Sequence, residues 1–483
     1  MISNKKEACG LIGITNHRDA IHLTIVGLFA LQHRGEEAAG IAYANGKSIA
    51  GHTGKGLVHQ TFNSTFKKDL EFSPSHRPLA IGHTRYSITG NNQGPNVQPL
   101  LVDHLKGTFA LAHNGNFTNA RELKYRLEQQ GAIFQTTMDS EVFLHLIAQS
   151  KGTTFKDCVI DAMHQVKGSY CLLILEKDKI YAIRDPHGFK PLALAKIQLP
   201  TGQSSLVVAS ETCAFDFMNA TYIDSIKAGE MVTLNHDGTL EREMIFDTDY
   251  KKRHHIKLSA CIFEMIYFAR PDSIVFDEAV YEFRKKLGAL LAEEAPADAD
   301  IVIPIPDSGN YPAIGYATTA KIPLELAITR NHYTSRSFIQ PNIHERRTMV
   351  NLKLNPIKSV IQGKRIIIID DSIVRGTTTK EKILSLRRCG AKEIHMRVAA
   401  PPIKHGCHYG IDFPDNKELI ANNKTIDQIK THLGLDSLAY LSIESLLKAS
   451  THKNNSFCTA CFTGDYPTPI DVNASKEMLA IRR

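Results

Sequence analysis

The chain has 483 residues, 43% of them hydrophobic, and a formal net charge of +7 from 57 lysines and arginines against 50 acids. That length allows two domains with separate cores. No apolar run reaches membrane-spanning length, Met1 to Ala8 lacks the apolar centre of a secretory signal, and the odd count of nine cysteines argues against a disulfide framework, so a cytoplasmic chain is expected.

In chain order, the stretch from Cys9 to about Met231 alternates strands with helices. Cys9 to Ile14 reads as a strand behind a short polar leader. An ordinary packing thiol is one reading of Cys9. The other follows if residues 1–8 are removed: the free α-amino group then sits beside its own thiol, and nucleophile and base share one residue. Gly46-Lys47-Ser48 resembles the end of a phosphate-binding loop, but Ile41 stands where the first glycine belongs. Asn114-Gly115 after Thr108 to His113 is a hairpin-turn signal. Asp139-Ser140 before EVFLHLIAQS is a helix-cap signal. A polar, charged stretch over residues 232–258 reads as the bridge between domains.

Beyond it, Phe283 to Glu294 predicts an amphipathic helix with Phe283, Leu287, Leu290 and Leu291 on one face. Ile301 to Pro306 predicts a short strand leading to Asp307-Ser308. Residues 330–355 lack a period and carry several bases, as a solvated loop or a lid would. The clusters Lys251-Lys252-Arg253 and Arg346-Arg347 come with no nucleic-acid module. They read as solvated faces or as attraction for anionic substrates.

The most informative stretch is Arg365 to Thr379, RIIIIDDSIVRGTTT. Four isoleucines suit a strand buried on both faces. Asp370 and Asp371 end it. Ser372, Arg375, Gly376 and Thr377 to Thr379 form a small, hydroxylated loop before a helix that Gly390 stops, and Lys392 to Ala399 predicts the next strand. Backbone N–H groups at a helix start cradle phosphate. Two acids beside them suit neutral hydroxyls or a metal-bound group, and together they suggest a phosphorylated sugar. A plain helix cap is the alternative. In the tail, Cys458-Thr459-Ala460-Cys461 is a lone CxxC, open to zinc, redox chemistry or neither.

IIIIDDSIVRGTTT resembles the phosphoribosyl-diphosphate motif of type I phosphoribosyltransferases, in the form found in the glutamine amidophosphoribosyltransferase family. ACGLIGI, LQHRGEEAAGIA, IGHTRYSITG, LAHNGNF and the acid of TTMDSEV occur in the order of N-terminal-nucleophile glutamine amidotransferases, and SACIFEMIYFARPDS resembles that family's interdomain segment. The resemblance covers Cys9 to about Thr468. It implies a mixed α/β and α+β protein of two domains. An N-terminal-nucleophile αββα sandwich over residues 9–235 follows a removable leader, 1–8. A parallel-sheet phosphoribosyltransferase domain with a cluster-binding tail follows over 236–483.

The resemblance also implies roles. Cys9 is the nucleophile, and Asn114 and Gly115 form the oxyanion hole. Arg85 and Asp139 hold the glutamine carboxylate and ammonium. Asp370 and Asp371 hold the ribose hydroxyls, and Ser372, Arg375, Gly376, Thr377, Thr378 and Thr379 hold the phosphate. Ser308, Asp370 and Asp371 face Mg²⁺. Tyr333, Arg336 and Lys353 belong to a lid, altered here at Thr334, Ser335 and Asn351; Gly309 to Pro312 is also unusual. Cys261, Cys407, Cys458 and Cys461 match the four ligands of a [4Fe–4S] cluster in the family's metal-containing branch. The implied reaction transfers ammonia from glutamine to 5-phosphoribosyl 1-diphosphate, the first step of purine synthesis. A dimer or tetramer with purine-nucleotide feedback is implied as well. A regulatory sensor without turnover, or a glutaminase feeding another acceptor, fits parts of the pattern. Diphosphate release in the presence of glutamine separates the three.

Overall fold

The computed structural model describes residues 9–63, 77–86, 96–200, 202–331, 354–452 and 456–470. Short strands, the central ones buried almost throughout, build the first half into two antiparallel sheets. One sheet contains β1 (Gly10–Ile14), β2 (Ala38–Ala44), β3 (Ile49–Lys55), β4 (Leu79–Arg85), β9 (Ala193–Gln198), β10 (Ser204–Ala209) and β11 (Thr221–Ser225), in the order β11-β9-β10-β1-β4-β2-β3. The other contains β5 (Leu100–His104), β6 (Gly107–Phe117), β7 (Gly168–Leu175), β8 (Lys179–Arg184), β12 (Glu230–Asn235) and β13 (Leu240–Met244), in the order β13-β12-β8-β7-β6-β5.

The sheets face each other across a core that includes Leu11, Ile81, Ala110, Leu173 and Val208. Such strands are apolar on both faces because helices cover the outside. Ala20–Ala30 packs on the first sheet, and Ala120–Gln129, Ser140–Gln149 and Phe155–Met163 pack on the second. This is the expected αββα sandwich. A hairpin crosses the expected boundary after Asn235: β13 pairs with β12 from Glu230↔Met244 to Leu234↔Leu240. The polar stretch read as a bridge is partly an exposed edge strand, whose outward face needs no apolar residues.

The second half is a parallel sheet in which Arg365–Asp370 lies between Ile301–Pro304 and Glu393–Val398, with Ser437–Tyr440 beyond. Ile366 to Ile369 are fully buried. Ile367 and Ile369 face one core, and Ile366 and Ile368 the other. Each such side chain contributes roughly 1.5–3 kcal/mol through burial. The helix Val280–Glu294 buries Phe283, Leu287 and Leu291 as its period predicts, and leaves Leu290 half-buried. Central-strand register places the Asp370 end beside the start of the helix Thr377–Arg388. No helix of the described residues is long and apolar enough to cross a membrane.

Candidate active site

Antiparallel pairing of β1 with β4, Gly10↔Thr84, brings the start of β1 beside Arg85. Cys9 and Arg85 are both buried there. The Cys9 Sγ lies 3.7 Å from the Tyr86 carbonyl. Burial pushes the thiol pKa up; the Tyr86 hydrogen bond and the charges of Arg85 and Arg34 pull it down. Asp139 also reaches the thiol with its field, so the nucleophile candidate and both glutamine-holding candidates share one site.

Neither hairpin nor cap explains the other members. Asn114 and Gly115 lie inside β6, paired with Cys171 and Tyr170. Gly115 has φ +149°, and a Cβ there would meet the Ser169 carbonyl oxygen at 2.0 Å, so only glycine fits. Among the described residues, both polar atoms of the buried Asn114 amide are without a hydrogen-bond partner. Asp139 sits at a helix start but does not cap it; its Oδ2 accepts from the Phe117 N–H at 2.9 Å.

Two histidines that the sequence reading did not single out brace this end. The His83 Nε2 is 3.1 Å from the His113 carbonyl, and His113 Nδ1 is 3.0 Å from Ser140 Oγ. Burial and the charge of Arg85 push His83 down to about 3, and burial lowers His113, so both rings are neutral near pH 7. Their signal was present in the motifs GHTR and AHNG, as polar residues inside strand patterns.

In the second half, Asp370, Asp371 and Ser372 are buried at the strand end. Asp370 Oδ1 accepts from the Asp371 N–H at 3.0 Å, and Ser372 Oγ donates to Asp371 Oδ2 at 2.6 Å. Ser308 Oγ reaches Asp370 Oδ1 at 3.5 Å, which joins the two loops expected to share a metal. Lys382 Nζ stands 3.7 Å from Asp370 Oδ2, a partner that sequence reading missed. Gly376, with φ +76°, precedes the helix Thr377–Arg388, whose first turn carries no acid, so the positive end of its dipole suits an anion. Thr377 is exposed, Thr378 half-buried and Thr379 buried. Arg375 Nε donates to Glu418 at 2.7 Å. Tyr333, Arg336 and Lys353 lie outside the described residues, as do Thr334, Ser335 and Asn351.

Of the four candidate cluster cysteines, Cys261 and Cys458 are register neighbours on two paired strands. All four thiols are free, and burial raises Cys261 to about 11 and Cys461 well above its ordinary value. Among the described residues, no group of three or more His, Cys, Asp or Glu side chains is arranged to hold a single metal ion.

The sandwich with a cysteine at its first strand, joined to a sheet with an acid pair and an anion-ready helix, defines a glutamine amidotransferase fused to a phosphoribosyltransferase. The family description "glutamine amidotransferase domain" matches residues 83–216, and "phosphoribosyl transferase domain" matches residues 279–417. Amidophosphoribosyltransferase 2 of Arabidopsis thaliana, a chloroplastic protein, is 43% identical over 96% of this chain and 80% of its own length. The amidophosphoribosyltransferase of Bacillus subtilis is 42% identical over 97% of this chain and 96% of its own.

Two solved structures agree over 97% of this chain and 99% of theirs. One, described as the allosteric regulatory enzyme of purine biosynthesis, has TM-score 0.88 and 41% identity. The other, glutamine phosphoribosylpyrophosphate amidotransferase from B. subtilis complexed with ADP and GMP, has TM-score 0.87 and 40% identity. The chain belongs to the amidophosphoribosyltransferase family. It transfers glutamine-derived ammonia to 5-phosphoribosyl 1-diphosphate, giving 5-phosphoribosylamine, glutamate and diphosphate, the first step of purine synthesis.

Proposed function

We propose that Cys9, freed of residues 1–8, is the glutaminase nucleophile. The new α-amino group takes the thiol proton, and the sulfur attacks the side-chain amide carbon of glutamine. Asn114 and the Gly115 N–H receive the developing oxyanion, while Arg85 and Asp139 hold the substrate's carboxylate and ammonium. The C–N bond breaks, ammonia leaves, and water hydrolyses the thioester to glutamate. The observation that carries this reading is the Asn114 amide. A buried polar group without a partner costs about 1–3 kcal/mol, and a bound oxyanion supplies the acceptor that the Asn114 Nδ2 lacks among the described residues.

In the rear domain, Asp370 and Asp371 hold the ribose hydroxyls. The loop from Ser372 to Thr379 cradles the 5-phosphate, with Arg375 bracing it through Glu418. Ammonia's lone pair attacks the anomeric carbon, the bond to diphosphate breaks, and a proton is lost from nitrogen. Positioning and charge stabilisation suffice, because a loosely bonded sugar cation needs no protein nucleophile. Ser308, Asp370 and Asp371 fit Mg²⁺, being hard oxygen donors from two adjoining loops. When bound, the metal supplies charge neutralisation for the leaving diphosphate. Joining the domains keeps ammonia out of bulk water, where protonation would remove its lone pair. The hairpin supports a front domain that runs past Met244, with the rear domain following from about Lys257.

Cys261, Cys407, Cys458 and Cys461 fit a [4Fe–4S] cluster. They are four buried or half-buried free thiols from three segments, and a cubane spreads its ligands more widely than a single ion does. Such a group, when bound, supplies a cross-link between the tail and the core. Lys190, whose ammonium feels Cys261 and Cys407, is placed to offset thiolate charge. Purine nucleotides are the proposed regulators, supported by the ADP and GMP of the B. subtilis relative.

The test is Cys9→Ala. Glutamine-dependent synthesis is expected to vanish while synthesis from high ammonia persists. Loss of both in a folded variant would overturn the separation of sites.

A further inference from the structure

The motif LQHRG has no role in the chemistry above, yet its arginine touches the nucleophile. Arg34 is fully buried, and its Nε donates to the Cys9 carbonyl at 3.1 Å. Its two remaining nitrogens grip Glu264 as a fork, Nη1 to Oε2 and Nη2 to Oε1, both at 3.0 Å. Nη1 also bonds Glu211, and Lys190 Nζ donates to Glu264 Oε1 at 2.9 Å. All four of these charged side chains have no exposed surface. Two cations meet two anions, so the quartet is neutral in the interior.

Arg34, Lys190 and Glu211 come from the front half. Glu264 does not. It starts a wide turn, Glu264–Phe268, that follows the bridge and is closed by the Ala269 N–H on the Glu264 carbonyl at 3.0 Å. The rear domain holds this turn: Arg284, on the helix Val280–Glu294, donates to the Met265 carbonyl at 2.8 Å and to the Ala269 carbonyl at 2.7 Å.

We propose that Arg34 is a positioning residue for Cys9 and that Glu264 sets its position, so that the rear domain fixes the aim of the front nucleophile. A guanidinium is planar, so a carboxylate that fixes its two terminal nitrogens also fixes the direction of Nε–H. That direction locates the Cys9 carbonyl, and with it the Cα–Cβ bond that carries the sulfur. Glu211 holds one terminal nitrogen of Arg34, whereas the fork with Glu264 holds both and so sets the plane of the guanidinium. The proposal rests on Cys9 being the nucleophile.

The test compares Glu264→Gln, Glu264→Asp and Arg34→Lys in the full chain, with Cys9→Ala alongside. Gln keeps the shape without the charge. Asp keeps the charge one methylene short of the fork, and carries the test if Gln fails to fold. Lys keeps a cation but cannot serve the fork and the carbonyl together. Glutamine-dependent kcat is expected to fall about 100-fold, the usual effect of misplacing a reacting group by about 1 Å. KM for glutamine is expected to stay within about threefold, because Arg85 and Asp139 hold the substrate. Ammonia-dependent synthesis is expected to stay within about twofold, and the rate of Cys9 labelling by a glutamine-derived chloroketone to fall in step with kcat. A purely structural role would instead lower both activities together. That result overturns the proposal, as does a glutamine-dependent kcat within threefold of the parent in a folded variant. Cys9→Ala that still used glutamine would overturn the nucleophile assignment itself. A dead Cys9→Ala beside fully active Glu264 variants would overturn the positioning role alone.

Discussion

Replacing Gly115 with alanine tests the oxyanion hole at one atom. The added Cβ would stand 2.0 Å from the Ser169 carbonyl oxygen, whereas real Cβ contacts stay above 3.0 Å, so strand β6 must retreat from β7 by about 1 Å. Gly115 also has φ +149°. A side chain in such a region adds strain of about 1–3 kcal/mol. The strand can relieve both only by turning the Gly115 N–H away from its aim. Losing one oxyanion donor costs about 10²- to 10³-fold in kcat. Glutamine-dependent kcat is therefore expected to drop at least about 100-fold, with KM little changed because Arg85 and Asp139 are untouched. Synthesis from ammonia at the rear site is the internal control and is expected to stay within about threefold. Steady-state assays with each nitrogen donor, beside a thermal melt, measure this. Glutamine-dependent turnover within threefold of the parent, in a variant that melts normally, would refute the assignment of the Gly115 N–H.

Asp371→Asn removes the acceptor charge at a buried position that Ser372 also uses. Charged hydrogen bonds are worth about 1.5–3 kcal/mol, so rear-site kcat/KM should fall roughly 10- to 100-fold while uncoupled glutamine hydrolysis stays level; equal losses would refute the role. Burial pushes Glu211 up, but His33 and Arg34 outweigh it and hold the carboxylate well below its ordinary range. A depressed folded pKa gives stability that is full above the unfolded value of about 4.3 and is lost as pH falls below it. Melting temperature should therefore fall below about pH 5, and Glu211→Gln should melt lower at pH 7 but with a flatter acid slope. An unchanged slope would count against the pairing. Protein prepared without oxygen should carry iron and acid-labile sulfide; zinc in their place would remove the cluster.

Local pattern carried much of the architecture. The isoleucine run, the Phe283 helix face and Gly390 all announced their structures, because each depends on periodicity or on one backbone angle. Asn114-Gly115 misled in form, since the same pair that favours a turn also tolerates the close strand approach found in β6. The hairpin that crosses Asn235 was hidden because an exposed edge strand reads as linker. The charge quartet was invisible for another reason. Arg34 and Glu264 are 230 residues apart, and no period or spacing links a buried arginine to its carboxylate. Arg375 shows the converse: a motif residue whose chain position was informative and whose partner, Glu418, was not.

Two sets of contacts carry the rear domain into the front site, and they act on different atoms. Arg34 holds the backbone of Cys9, the proposed nucleophile, and is gripped by Glu264. Strand β6, with the proposed oxyanion groups Asn114 and Gly115, is covered by the segment after Cys407. There Asn116 Nδ2 donates to the His408 carbonyl at 2.9 Å, a Cβ on Gly410 would stand 3.1 Å from Gly115 Cα, and Tyr409 stacks on Phe189 at 4.2 Å. The groups assigned to the ends of glutamine, Arg85 and Asp139, belong wholly to the front half. A displacement of the rear domain therefore reaches the groups that form and receive the tetrahedral intermediate before it reaches those that bind the amino acid. Interactions realised only in the transition state change kcat, whereas uniform binding changes KM. Substitutions along the interface should thus lower the rate of glutamine use at saturation more than its affinity, which is the pattern an enzyme needs if glutamine is to bind freely and be consumed only when the acceptor site is in order.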